Sequence, residues 1–359
     1  MASKTFRKVV LQLHLWIGIA AALFLLLAGA SGTLLVFETQ IDQALNPKLA
    51  RVAPSGSLLS LTELKIALQH QYPGYRVLSF EIPAGPDLAS AAYLQPPLGA
   101  GIDVAVDPYT GRALGVWDNN RFARKLHEFH THFLAGEVGS AIVGWSSVIL
   151  LFLSVSGLIL WWRSKIFRID LQTSGPKFQY DLHSTVGVVA FVFLLAFAWT
   201  GVVVHWGDTA RAWVGKVSGV VVRPADPRPD SPPSGALPLE PAHLLARAQA
   251  AVPGARPTVI QLSENADRPA LIIMKFPEDH TPAGRTRVFL DAYSGKVLAL
   301  NSSRAAPAAV AYLTRLNREI HTGDIGGWPG RIVAAVFSLS LPVLAVSGPL
   351  LWWQRRRRR

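Results

Sequence analysis

The chain has 359 residues, half of them hydrophobic and only 16% charged, and its mean hydropathy is positive. That is the profile of a membrane protein, not of a soluble enzyme or a disordered chain. The net charge of +12 sits in short segments beside apolar runs, which argues against nucleic acid as a partner, and the lack of cysteine excludes disulfides, thiolate metal sites and iron–sulfur clusters.

Hydropathy predicts four spans, at residues 10–37, 141–162, 185–205 and 332–353. Each exceeds the ~20 residues that cross ~30 Å of hydrocarbon. The first follows Lys4, Arg7 and Lys8, and Ala28-Gly29-Ala30 imitates a signal-peptidase box. The apolar run continues through Phe37, so the segment reads as a retained span. Pro342 and Pro349 lie inside the fourth span, where membrane helices tolerate proline. Arg163, Lys165, Arg168 and Lys177 separate spans two and three, and Arg355 to Arg359 end the chain. By the positive-inside rule these segments and both termini are cytoplasmic, and the loops at about 38–140 and 206–331 are outside. The basic runs read as topology anchors rather than binding sites.

Both outer loops carry similar patterns. A helix is predicted over 61–72, with Thr62 as its cap, and another over 241–251. Alternating apolar residues around Asp107-Pro108-Tyr109-Thr110-Gly111 and Asp291-Ala292-Tyr293-Ser294-Gly295 predict two β-hairpins. Each loop is therefore expected to be a small α+β domain in which the hairpin is scaffold. Residues 223–238, rich in proline and aspartate, read as a linker.

The spans are patterned in pairs. His14 stands 4 residues before Gly18 and 18 before the glycine of Ser31-Gly32; His183 stands in the same relation to Gly187 and to the glycine of Thr200-Gly201. His130 and His321 each precede a Ser-Gly pair whose glycine is 27 residues on (Gly157, Gly348) and a Trp pair that starts 31 residues on (Trp161, Trp352). A repeat of two spans inserts twice in one orientation, so the predicted fold is four transmembrane helices as two parallel two-helix repeats, with two outer α+β domains. The expected division is 1–37, 38–135, 136–163, 164–181, 182–206, 207–327 and 328–359.

Two neutral imidazoles facing each other in a membrane are what a haem iron needs. Symmetry pairs His14 with His183 at one depth and His130 with His321 at another. The small residues Gly18, Gly32, Gly187 and Gly201 leave space for helices or a flat macrocycle to approach. The competing reading is four interfacial histidines bonded to headgroups or backbone; the matched positions favour ligands. His132 is the alternate to His130, and His205 is an asymmetric alternate at the end of span three. His70, His243 and His280 lack a partner pattern and read as surface residues. Arg121, Arg124, Arg315 and Arg318 precede the outer histidines and are candidates to pair with haem propionates or to attract an anionic chelate. Glu128, Glu137, Glu319 and Asp324 are candidates to orient imidazoles or relay protons. The Trp pairs read as an interfacial belt.

The four-span layout, L-H-x-x-x-G openings, S-G-x-x-L-W-W closings and D-P-Y-T-G hairpin resemble the PepSY-associated transmembrane proteins, also described as iron-regulated membrane proteins or siderophore reductases. The resemblance covers nearly the whole chain. It implies a bacterial inner-membrane protein with periplasmic PepSY-like domains. For the reductase branch it implies b-type haem in the membrane, with the family's histidine pattern falling on His14, His130, His183 and His321, and reduction of ferric siderophore in the periplasm. The two histidine pairs would hold two haems, with electrons entering from quinol or a separate donor. No G-x-G-x-x-G opens a helix after a strand, so no nicotinamide or flavin domain is expected. The alternatives are a non-enzymatic protein that binds or regulates a periplasmic partner, and an iron-chelate or haem transporter. The few intramembrane charges, and the lack of a pair of clearly broken helices, speak against the transporter.

Overall fold

In the computed structural model the described residues are 4–117, 122–219, 227–229, 235–263, 265, 267–305 and 307–357. Arg121 and most of the expected linker at 223–238 lie outside them. The first apolar run forms α1 (Lys4–Leu35), followed by α2 (Glu38–Leu45), α3 (Pro47–Ala50) and α4 (Leu61–Gln71). Strands β1 (Arg76–Glu81), β2 (Ser90–Gln95), β3 (Ile102–Val106) and β4 (Ala113–Trp117) come next. Then come α5 (Phe122–His132), α6 (Gly136–Ser164), α7 (Pro176–His205) and α8 (Gly207–Ser218). The second loop holds α9 (Pro241–Ala251), β5 (Arg256–Gln261), β6 (Ala270–Lys275), β7 (Thr286–Leu290) and β8 (Val297–Asn301). After α10 (Ala308–Ala311), a π-helical turn and α11 (Asn317–Thr322), the chain ends in α12 (Gly327–Ser338) and α13 (Ser340–Arg357). Two compact bodies result: residues 1–38, 122–219 and 316–359 form one, 39–121 and 220–315 the other.

The first body is a helical bundle. α1, α6, α7 and the run Asp324–Arg357 are long and apolar enough to cross a membrane. All backbone bonds of such helices are made internally, the condition for lying in hydrocarbon. α1 packs against α6 and α13, and α7 packs against the same two. Ala21, Ala190 and Ala198 let the helices approach, with Leu25, Leu150, Leu194 and Leu341 filling between them. α1 and α13 come close at Gly29, where an added Cβ would stand 2.7 Å from Pro342 Cδ and 2.8 Å from Leu341 Cβ.

The fourth span is not continuous. α12 stops at Ser338 and α13 starts at Ser340. Pro342 is the cause: its ring crowds the carbonyl of the residue four before it, Ser338, and it has no N–H to offer. Across the break, Thr33 Oγ1 and Ser338 Oγ share a hydrogen bond of 2.6 Å. Phe337 stacks on Phe193, ring centres 3.8 Å apart.

The second body is one antiparallel sheet in the order β4-β3-β2-β1-β5-β6-β7-β8. β2 and β6 alternate buried and half-buried residues, so one face of the sheet is its core. α4 and α9 cover that face, setting Leu61, Leu64, Leu68 and Leu244 over Phe80, Leu94, Ile260 and Met274. The hairpin turns follow the Asx pattern: Asp107 Oδ1 accepts from Tyr109 N, and Asp291 Oδ1 from Tyr293 N, both at 2.9 Å. Gly111 and Gly295 sit at φ 73° and 70°, which explains the glycine in both motifs. The two loops, expected as separate domains, share this sheet through the pair β1–β5, where Phe80 stands opposite Ile260. The cap of α4 differs from expectation. Ser60, not Thr62, accepts from Glu63 N, and Glu63 accepts from Ser60 N in return. S-x-x-E is a capping box, and it places Thr62 inside the helix.

Candidate histidine site

The bundle brings the four predicted histidines together in two pairs. The His14 and His183 rings are 6.3 Å apart, centre to centre, with an interplanar angle of 87°. The His130 and His321 rings are 6.4 Å apart at 54°. Two imidazoles on opposite sides of one metal, with bonds of about 2.0–2.1 Å and roughly 1.1 Å from nitrogen to ring centre, stand about 6.3 Å apart. Both pairs fit that separation.

Each ring is held by the same device. His14 Nδ1 bonds Ser156 Oγ at 2.8 Å and His183 Nδ1 bonds Ser347 Oγ at 2.9 Å. His130 Nδ1 bonds Ser31 Oγ at 2.9 Å and His321 Nδ1 bonds Thr200 Oγ1 at 2.8 Å. Every one of these hydroxyl residues is followed by a glycine. An added Cβ would meet the imidazole Cε1 at 3.3 Å on Gly157, 3.2 Å on Gly348, 3.1 Å on Gly32 and 3.7 Å on Gly201. The hydroxyl fixes the ring and the missing side chain admits it.

The hydrogen bonds also settle the tautomer. A hydroxyl has one proton, and Ser31, Ser156 and Thr200 give theirs to Leu27, Phe152 and Ala196 carbonyls at 2.7, 2.7 and 2.6 Å. Ser347 reaches Leu344 O at 3.5 Å. Ser31, Ser156 and Thr200, engaged in this way, accept from Nδ1–H of His130, His14 and His321, which leaves Nε2 of those rings as the unprotonated nitrogen. For the outer pair the charge state agrees. Burial, with the neighbouring His321 and His127 adding, lowers His130 to about 4, and burial with Arg318 adding lowers His321 to about 4. Both are neutral near pH 7.

Gly18 and Gly187 lie one turn from His14 and His183. A Cβ there would meet only Leu153 and Leu344 respectively, each at 3.7 Å. These glycines leave room for no more than a methyl group against apolar neighbours, so each imidazole is flanked by apolar side chains. Gly32 receives the ring of His130, whereas Gly201 lets α7 approach α6, since an added Cβ would stand 2.6 Å from Ser147 Oγ.

The alternates point elsewhere. His132 Nδ1 bonds Thr131 at 2.7 Å. His205 lies against Gly144, where an added Cβ would come within 2.5 Å of Nε2, and its ring meets Trp206 at 4.5 Å. Around the outer pair stand groups of both charges. Glu38 and His127 approach to 3.8 Å, and this contact, with Arg318 and Arg331 nearby, lowers the Glu38 carboxyl despite its burial. Arg331 donates through Nε to Val36 O at 2.9 Å and stands 3.8 Å from Asp324. Asn317 Nδ2 donates to Thr200 O at 3.2 Å, a second tie from the helix of His321 to α7. Arg124, Arg318, Glu128 and Glu137 are exposed. Glu319 is buried at 1% exposure, and its Oε1 has no hydrogen-bond partner among the described residues. Arg315 lies 3.8 Å from Asp279 in the sheet body.

Ser31, Ser156, Thr200 and Ser347 were visible in the sequence as part of the Ser/Thr-Gly repeat, but spacing alone did not reveal their bonds to the histidines. Arg331 and Asn317 carried no repeat signal.

The family model for the PepSY-associated TM region matches residues 11–355. The chain belongs to that family. Comparison with curated proteins returns no match.

Proposed function

For this PepSY-associated membrane protein we propose an inner-membrane b-type haem oxidoreductase that reduces ferric siderophore to the ferrous state in the periplasm. The observation that carries the reading is the recurrence of one geometry, two imidazoles about 6.3 Å apart with hydroxyl-locked Nδ1 atoms, at two levels of one bundle. Haem b, when bound, supplies one-electron exchange with a donor and with Fe(III). The residues do the rest. His14 and His183 would hold one haem, and His130 and His321 the other, each through Nε2. Ser156, Ser347, Ser31 and Thr200 keep those rings oriented and neutral, which also raises their basicity as ligands. His14 and Ser31 are 17 residues apart on α1, so the two sites are about 25 Å apart along the helix at 1.5 Å per residue. Arg124 and Arg318, on the helices of His130 and His321, offer guanidinium groups to propionates or to an anionic chelate. By the positive-inside rule Lys4, Arg7, Lys8 and Arg355 to Arg357 keep the His14 end cytoplasmic, near quinol or a separate donor.

The test is the visible spectrum of the purified protein. A Soret band with sharp α and β bands on reduction is expected, followed by reoxidation on adding a ferric siderophore with a ferrous chelator present. A colourless preparation, even from cells supplied with haem, would sink the reading and leave a non-enzymatic PepSY protein.

A further inference from the structure

α8 begins where α7 ends: Trp206 closes the first helix and opens the second. On a helical wheel Trp206, Ala210, Trp213, Val214 and Val217 fall within one arc of about 100°. Asp208, Thr209, Arg211, Gly215 and Lys216 occupy the rest. In a water-soluble helix such an apolar stripe is buried. Here Trp213 is 67% exposed and Val217 68% exposed. The main packing of α8 is against the end of α7. Arg211 pairs with Asp208 on the polar side.

The surroundings say what covers the stripe. α7 is one of the four helices fit to cross a membrane, so α8 starts at the point where a span leaves the bilayer. Trp145 of α6, itself exposed, meets Trp206 edge to face at 5.8 Å at this level. Tryptophan gathers at membrane–water boundaries because its ring is apolar and its N–H is not. α2 follows α1 as α8 follows α7, but it carries Glu38 and Asp42 and no aromatic residue. The feature therefore belongs to one half of the molecule only.

We propose that α8 is an interfacial anchor that lies in the plane of the membrane, with Trp213 and Val217 among the acyl chains and Lys216 reaching the headgroups. Helices of this kind sink roughly 5–10 Å into the headgroup–acyl boundary. The occupant of the exposed face is the bilayer that already surrounds α7, and the inference does not depend on the haem reading.

The full chain has no cysteine, so single cysteines can be placed at will. Spin labels at Thr209→Cys, Trp213→Cys, Lys216→Cys and Val217→Cys would be examined in nanodiscs of phosphatidylethanolamine and phosphatidylglycerol. Relaxation by oxygen, which concentrates in acyl chains, is compared with relaxation by a water-soluble nickel chelate. Labels at Leu23 on α1 and Leu98 in the β2–β3 turn give the lipid and water extremes and verify that each preparation is folded. Positions 213 and 217 are expected to favour oxygen several-fold, with 209 and 216 favouring nickel. Equal nickel access at all four positions would overturn the proposal. So would shielding of 213 and 217 from both reagents, which would mean that protein covers the stripe.

Discussion

The two histidine pairs share one chemistry but are built on different supports. His14 and His183 sit on the long helices α1 and α7, and their hydroxyl partners come from the neighbouring spans α6 and α13. His130 and His321 sit on the short helices α5 and α11, and there it is the partners, Ser31 and Thr200, that belong to spans. In the first pair the rings are fixed by the packing of the bundle itself. In the second they depend on local ties. One is Asn317 to the Thr200 carbonyl. The other is the reversal after α5, where Phe133 and Leu134 adopt φ of 45° and 57°. Left-handed backbone costs such residues about 1–2 kcal/mol each, and Phe133 is compensated by ring contacts with Phe24 at 6.0 Å and Phe129 at 5.5 Å. The same pairing of imidazoles can thus be set by global packing or by a few local bonds, and the second kind is easier to disturb.

The largest effect should come from removing a ligand. His14→Ala and His321→Ala are each expected to lose one haem of two, read from the pyridine haemochrome and the reduced α band; loss of neither would refute the pairing. Next come the hydroxyls. Ser31→Ala and Ser156→Ala each take away the partner that fixes an imidazole, a change typically worth 10–100-fold in metal affinity. Ser31→Ala should be the more damaging, because His130 has no span of its own to hold it; equal losses in haem titrations would erase the distinction between the pairs. A smaller change is predicted for Gly29→Ala, which forces the helix contact at Pro342 apart without touching a histidine. Overpacking of this kind costs about 1–3 kcal/mol, visible as a lower midpoint of thermal unfolding with haem content retained. His132→Ala and His205→Ala should leave haem content and spectrum unchanged, and a loss with either would move the outer ligand set.

Much of this architecture was legible because the signals are local. Four apolar runs, two helices at 61 and 241 and two Asx hairpins each follow from a short window of sequence. The helical spans start before the hydropathy limits, α7 at Pro176 rather than 185, because hydropathy ends at polar residues while helical hydrogen bonds continue. Strands β1, β2, β5 and β6 went unread. β1 and β5 meet across the whole intervening chain, and no window contains both. The break at Leu339 was half visible, since Pro342 was noted but not which contact would stabilise the interruption. The Ser/Thr-Gly dipeptides were seen as repeats, but a repeat states only that two positions are alike. Their bonds to His14, His130, His183 and His321 required three dimensions.

The central pair β1–β5 has a consequence for how the protein is made. Phe80 waits for Ile260, 180 residues further along the chain. At a synthesis rate of roughly 5–20 residues per second that is a delay of about 10–40 s. During it β1 is an open edge, with a row of unpaired N–H and C=O groups that other strands could claim. Residues 136–205, with two apolar helices, must also be placed in the bilayer before the missing neighbour arrives. The sheet therefore cannot be closed until β5 has been made, and its nascent first half is the stage at which a holding chaperone would be needed.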